Sequence, residues 1–117
     1  MNLATQRCLD DSGPFNIRTF SCNSQSYYDG YQKWYYHQYN DGTERLMNAS
    51  TALCMRDFGN GVVGHATCDE SKWESWYHTY EGNGLVFRNQ ATGMCLDDSD
   101  AYGLRTFPCN GLPYQKW

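Results

Sequence analysis

The sequence predicts an all-β fold in which three short units share one core as a closed threefold barrel. The first observation behind this is a repeat. Arg7-Cys8-Leu9-Asp10-Asp11-Ser12, Ile17-Arg18-Thr19-Phe20-Ser21-Cys22-Asn23 and Tyr31-Gln32-Lys33-Trp34 return as Met94-Cys95-Leu96-Asp97-Asp98-Ser99, Leu104-Arg105-Thr106-Phe107-Pro108-Cys109-Asn110 and Tyr114-Gln115-Lys116-Trp117. A degenerate copy lies between them, with Leu53-Cys54-Met55-Arg56-Asp57, Val63-Gly64-His65-Ala66-Thr67-Cys68-Asp69 and Trp73-Glu74-Ser75-Trp76. The second is local patterning: short β-branched and aromatic runs alternate with turn dipeptides, and no 3.6-residue apolar period is sustained. Asp29-Gly30, Asp41-Gly42, Asn60-Gly61, Asn83-Gly84 and Asn110-Gly111 mark the turns, since Asn and Asp tolerate positive φ and Gly favours it. The third is that six cysteines fall as three pairs, each with thirteen residues between its members. Units of about 40 residues that cannot bury an apolar face alone must stack on one another. A propeller would want about four or more blades.

At 117 residues the chain is expected to form one domain, with repeats at about 1–40, 41–82 and 83–117. Asn2, Asn48 and Asn89 each stand six residues before the first cysteine of their unit, and Thr5, Thr51 and Thr92 stand three before it. Strand-like runs, Glu44–Met47 and Leu85–Arg88, precede the second and third Asn, whereas only Met1 precedes Asn2. Aromatic runs follow Trp34 and Trp76 but none follows Trp117, so either the sequence is trimmed or one seam of the barrel closes differently. Residues 23–30 read as a longer surface loop, four residues being added there relative to repeat three. Trp34, Trp76 and Trp117, with Leu9, Met55 and Leu96, persist in all copies and are expected in the core. The Asn48-Ala49-Ser50 glycosylation signal is better explained as a turn, because an Asn recurs there in every repeat.

The repeat favours the within-unit disulfides Cys8–Cys22, Cys54–Cys68 and Cys95–Cys109, each closing a loop worth about 3 kcal/mol in the chain-entropy model. Metal ligation is the rival, but the close Cys-x-x-Cys or His-rich spacing of zinc sites is missing. Disulfides imply an oxidising, secreted destination. A net charge of −4 leaves no basic surface for nucleic acid or anionic membrane. No apolar run approaches the roughly 20 residues of a membrane span, and no signal-peptide pattern opens the chain. Aromatic residues make up 16%, with ten Tyr and four Trp, flat amphipathic surfaces suited to core packing or to sugar rings. His37, His65 and His78 do not recur beside a nucleophile, and Asp10/Asp11 are strand neighbours pointing apart, so catalysis is not expected. Nor is a metal or cofactor.

Cys-Leu-Asp, a strand into Cys, then Gln-x-Trp, three times over, resembles the ricin B-type β-trefoil lectins. In its short Asp-to-Cys distance and its Tyr-Gln-Lys-Trp the chain looks most like the compact actinomycete lectins of the actinohivin kind. The resemblance implies a β-trefoil of twelve strands with up to three shallow sugar pockets. It assigns hydroxyl-accepting roles to Asp10 and Asp97, and apolar platforms to Phe20 and Phe107. It puts Arg18 and Arg105 in the polar position two before the platform, where the family more often has Gln or Tyr. Asn23, Asn110, Tyr31 and Tyr114 fall on the rim, and Gln32 and Gln115 behind the Asp. A carboxylate is an acceptor-only group with two oxygens, fitted to two vicinal hydroxyls.

Repeat two departs at nearly every one of these positions, with Arg56 for the Asp, Gly64 for the Arg, Ala66 for the platform and Glu74 for the Gln. Asp57 is one place off and points to the other side of its strand. Joint loss of these residues in one copy is what cooperating groups show, so two sites are expected. The duller readings are that Asp10 and Asp97 cap turns, that Arg18 and Arg105 pair with Asp11 and Asp98 on the surface, and that Trp73 only packs. The expected function is a non-enzymatic lectin, monomeric or weakly oligomeric, that binds glycans on cell surfaces or polysaccharides and agglutinates cells. An aromatic platform suits galactose- or rhamnose-like hexoses. Alternatives are a mannose-specific lectin, the targeting module of a larger hydrolase or toxin, and a trefoil used only for protein contacts.

Overall fold

The computed structural model describes all residues from Met1 to Trp117. Ten strands form: β1 (Arg7–Asp11), β2 (Ile17–Ser21), β3 (Trp34–Gln38), β4 (Glu44–Asn48), β5 (Cys54–Asp57), β6 (Val63–Ala66), β7 (Trp76–Glu81), β8 (Gly84–Asn89), β9 (Cys95–Ser99) and β10 (Gly103–Phe107). Each repeat contributes one antiparallel hairpin, β1–β2, β5–β6 or β9–β10. The hairpins β3–β4 and β7–β8 link one repeat to the next. Every pairing is antiparallel, and the whole is a β-trefoil with a nearly closed barrel.

There are ten strands rather than twelve, and the difference lies where the termini meet. Leu3 N–H donates to the Lys116 carbonyl at 2.9 Å, as Ala49 donates to Lys33 and Gln90 to Ser75 at the other two junctions. Trp117 and Leu85 exchange both of their backbone hydrogen bonds, at 2.8 and 2.9 Å. The seam thus keeps the hydrogen bonds that define the junction without a full hairpin around them. A second departure is a short helix, α1 (Ser24–Tyr28), in the segment read as a loop. Asn23 caps it by accepting from Ser26 N–H at 2.7 Å, the ordinary work of an N-cap Asn.

The core is formed by Ile17, Leu46, Met55, Trp76, Phe87 and Leu96. Trp34, Trp76 and Trp117 donate from Nε1 to the carbonyl of the residue after the first cysteine, Leu9, Met55 or Leu96, at 3.1–3.2 Å. Only Trp76 is wholly buried. Trp34 and Trp117 are half-buried because they face an apolar cleft at the seam, shared with Leu9, Leu85 and Phe87. The three disulfides connect Cys8–Cys22, Cys54–Cys68 and Cys95–Cys109.

The recurrent polar residues fasten repeat to repeat. Asn2, Asn48 and Asn89 are fully buried; each accepts two turn N–H groups and donates to the carbonyl of Tyr114, Tyr31 or Trp73. Asn48 is therefore a turn residue. Thr5, Thr51 and Thr92 donate to Asp98, Asp11 and Asp57 of the preceding repeat around the ring, at 2.6, 3.0 and 2.6 Å. Asp57, one position past the expected sugar ligand, is thus the partner of Asp11 and Asp98 and holds the barrel together.

Candidate functional site

Antiparallel register sets Asp10 opposite Arg18 on β1–β2 and Asp97 opposite Arg105 on β9–β10. Residues directly opposite on one face are close enough to bond. Arg18 Nε reaches Asp10 Oδ1 at 3.4 Å, and Arg105 Nε reaches Asp97 Oδ1 at 3.3 Å. The arginines accordingly pair with Asp10 and Asp97, not with Asp11 and Asp98, which are buried in the inter-repeat bonds.

From behind, Gln32 Nε2 and Gln115 Nε2 each hold the other carboxylate oxygen at 3.1 Å. The same amides are themselves fixed. Their Oε1 atoms accept from Asn23 and Asn110 N–H at 3.1 and 3.0 Å, and their Nε2 atoms also donate to the Ser21 and Pro108 carbonyls. The two carboxylates are 1% and 2% exposed. They lie under the guanidinium groups rather than open to solvent.

Those guanidinium groups sit between aromatic rings. Arg18 lies 4.4 Å from the centroid of Phe15 and 4.3 Å from that of Phe20. Arg105 lies 4.2 Å from Tyr102 and 3.9 Å from Phe107. Both are within the reach of a cation–π contact; Phe15 and Tyr102 are largely exposed, Phe20 and Phe107 less so. In both repeats only Nε of the guanidinium is bonded to protein, which leaves the terminal N–H groups free for a ligand.

Phe15 and Tyr102 are the members of this arrangement that the sequence reading missed. Both stand two residues before the residue opposite Asp11 or Asp98, and repeat two has Gly61 at that place. The three hairpin tips show the same pattern of presence and loss as the other site positions.

The rim residues are not equivalent in the two repeats. Asn23 spends its side chain on the α1 cap and on the Ser21 carbonyl. Asn110 Oδ1 accepts from Leu112 N–H, and its amide nitrogen has no protein partner. Tyr31 is half-buried while Tyr114 is exposed. The inserted helix therefore closes the rim of repeat one more than that of repeat three.

Repeat two is closed by construction. Arg56 occupies the Asp position and meets Glu74, in the Gln position, at 3.5 Å, with Asp69 at 3.2 Å. Glu74 still accepts from Asp69 N–H, as the glutamines accept from Asn23 and Asn110. Burial pushes the Glu74 carboxyl above the usual glutamate range. A Cβ at Gly64 would come within 3.0 Å of the Asn16 side chain and 3.1 Å of the Phe58 ring. The space that Arg18 and Arg105 use is filled there, and in place of a guanidinium between two rings the middle repeat has Arg56 5.5 Å from the single ring of Phe58.

The model of the ricin-type β-trefoil lectin domain family matches residues 1–117, and the chain belongs to that family. Membership makes it a carbohydrate-binding domain in class, a binding module rather than a catalytic one. No curated protein matches it. Among solved structures it is similar to the designed threefold-symmetric protein ThreeFoil, with a TM-score of 0.86 and 16% identity over 100% of this chain and 92% of that one. It is also similar to the hemolytic lectin CEL-III, with a TM-score of 0.76 and 27% identity over 98% of this chain. A third neighbour is the GlcNAcα1-4Gal-releasing endo-β-galactosidase of Clostridium perfringens, at 0.83 and 16% over 98% of this chain. The chain spans only 28% of the CEL-III chain and 29% of the galactosidase.

Proposed function

We propose that this domain is a lectin for terminal hexoses, with one shallow site on Asp10, Arg18 and Phe20 and another on Asp97, Arg105 and Phe107. The observation that supports it is the half-buried guanidinium, its terminal N–H groups unbonded, held between two rings over a pre-oriented carboxylate, in repeats one and three and not in repeat two. The Asp–Gln pair alone does not carry the reading, because repeat two keeps a complementary pair in Arg56 and Glu74.

The single Nε contact is a weak latch. At 3.4 and 3.3 Å it is longer than the roughly 2.7–2.9 Å of a strong charge-assisted hydrogen bond. Two vicinal hydroxyls that take over the carboxylate from Arg18 or Arg105 replace one long contact with two shorter ones. The arginine then turns its free N–H groups toward the sugar oxygens, and the uncovered Phe face receives the C–H face of the ring. A galactose- or rhamnose-like sugar has the continuous apolar face that this needs. Mannose, the sugar of the actinohivin-like alternative, is the comparison ligand.

Each site is expected to bind in the millimolar range, about −4 kcal/mol. Two sites on one rigid body raise apparent affinity on a dense glycan surface by roughly 10²–10⁴. The three disulfides favour an extracellular setting, and no helix is long and apolar enough to cross a membrane. A glycan array on the wild type and on the Asp10→Asn/Asp97→Asn double variant tests the reading. Binding should be lost in the double variant and kept in Arg56→Ala. Undiminished binding by a folded double variant would overturn the site assignment, and an array with no glycan bound would favour a protein-contact role.

A further inference from the structure

The three repeat junctions are built alike but filled differently. At the junction of repeats three and one, Arg7 reaches across to Asp98 at 3.2 Å and to Asp100 at 3.4 Å, and Thr19 donates to Asp98 at 2.8 Å. At the junction of repeats one and two, Asn16 accepts from His65 N–H at 2.7 Å, and His65 Nδ1 meets Asp11 at 2.9 Å. At the junction of repeats two and three the corresponding residues are Met94, in place of Arg7, and Thr106, in place of Thr19 and His65. Neither side chain reaches Asp57, whose hydrogen-bond donors are Gly59 N–H and Thr92 Oγ1.

A cleft of about 720 Å³ results, against about 290 Å³ at the junction of repeats three and one. It falls within the roughly 300–1,000 Å³ typical of ligand sites. One wall is the hairpin tip from Gly59 to Val62, and the other carries Tyr102, Arg105 and Phe107. Gly61 stands where the other hairpins have Phe15 and Tyr102, so no ring blocks the entrance. Its φ of +83° and a Cβ approach of 3.3 Å to the Thr106 carbonyl oppose any side chain there. Thr106 is 3% exposed, lines the cleft, and its hydroxyl has no partner. A buried hydroxyl left unpaired costs stability unless something else bonds it.

From these features we infer that the cleft is an extended subsite, receiving the second sugar ring of an oligosaccharide whose terminal ring sits on Arg105 and Phe107. Val63, Met94 and Leu104 supply an apolar floor for a pyranose face, and the Thr106 hydroxyl bonds a ring substituent. Charged side chains are few in the lining, only the engaged Asp57 and Arg105, which fits a neutral saccharide. Repeat three would thus prefer oligosaccharides, and repeat one, its junction filled by Arg7, would read a single ring. The inference rests on the lectin reading above.

Amide chemical-shift titration of the full chain distinguishes the two. Galactose and mannose are compared with galactobiose and mannobiose, on the wild type, Thr106→Val and Met94→Arg, the last importing the repeat-one residue. The preferred monosaccharide should shift amides of repeats one and three alike. Its disaccharide should bind repeat three about tenfold more tightly, the gain from burying about 55 Å² of apolar surface, and should also shift Gly61, Val62 and Thr106. Both variants should cancel that gain and leave monosaccharide affinity unchanged, with Thr106→Val at least as stable as the wild type. A disaccharide that gains nothing at repeat three, or a gain that survives both variants, overturns the subsite and leaves the lectin reading standing. Silence with all four sugars overturns the subsite and removes galactose and mannose from the lectin reading, which the glycan array tests separately.

Discussion

Thr92 Oγ1 donates to Asp57 Oδ2 at 2.6 Å, a hydroxyl of repeat three holding a buried carboxylate of repeat two. Asp11 has His65 and Gly13 N–H besides Thr51, and Asp98 has Arg7 and Thr19 besides Thr5. Asp57 has only Gly59 N–H besides Thr92. Removing one partner of a buried charged group costs about 1.5–3 kcal/mol, and the cost rises where fewer partners remain. Among Thr5→Val, Thr51→Val and Thr92→Val, the last should lower stability most in urea unfolding, and none should remove glycan binding. Equal losses at all three positions would show that the extra partners do not share the load.

The middle repeat offers a double-mutant cycle. Glu74→Gln alone sets an amide N–H against the Arg56 guanidinium, and Arg56→Asp alone sets two carboxylates together. Together they restore the Asp–Gln pair of repeats one and three. The double variant should be more stable than the sum of the single losses predicts, by about 0.5–3 kcal/mol, read from denaturant midpoints. It should still bind no sugar at repeat two, because Gly64, Gly61 and Ala66 supply neither guanidinium nor ring.

Acid titration should separate two neighbours. Burial raises the Glu74 carboxyl, while the backbone and side-chain hydrogen bonds of Ser71 lower that of exposed Asp69. A folded-state value above the unfolded one means that Glu74 contributes most below the unfolded value, and that this contribution is lost as pH rises through the folded one. The Asp69 contribution runs the other way: it is present above the unfolded value and lost as pH falls through the depressed one. Carbonyl-carbon NMR should find Glu74 titrating above ordinary glutamate and Asp69 below ordinary aspartate. Glu74→Gln should remove the decline in stability between the two Glu74 values.

Valency is testable without knowing the sugar in advance. Asp97→Asn should leave the intrinsic affinity of repeat one as it was and reduce apparent affinity for a glycan-coated surface by roughly 10²–10⁴. Surface plasmon resonance at high and low ligand density reads both quantities. If the loss is the same at both densities, the two sites do not act together.

Much of this molecule was legible in the chain. A pattern repeated three times specifies three like hairpins, the pairing of its cysteines and the place of its conserved-in-register Trp, because each is a local consequence of spacing and turn chemistry. The bonding of Gln32 and Gln115 to Asp10 and Asp97 was also legible, as was the departure of the middle repeat at Arg56 and Glu74. What the spacing did not carry was whatever depends on neighbours distant in sequence. That Asp10 and Asp97 lie beneath their arginines follows from cross-strand register and burial. That Asp57 binds Thr92, that α1 takes the side chain of Asn23, and that Trp34 and Trp117 stay half-buried at the seam are likewise set by packing between repeats. The cleft beside Thr106 exists only because Met94 and Gly61 leave unfilled what other side chains fill at the sister junctions. Local chemistry fixed the units, and the distances between units decided which polar groups are spent on the fold and which remain for a ligand.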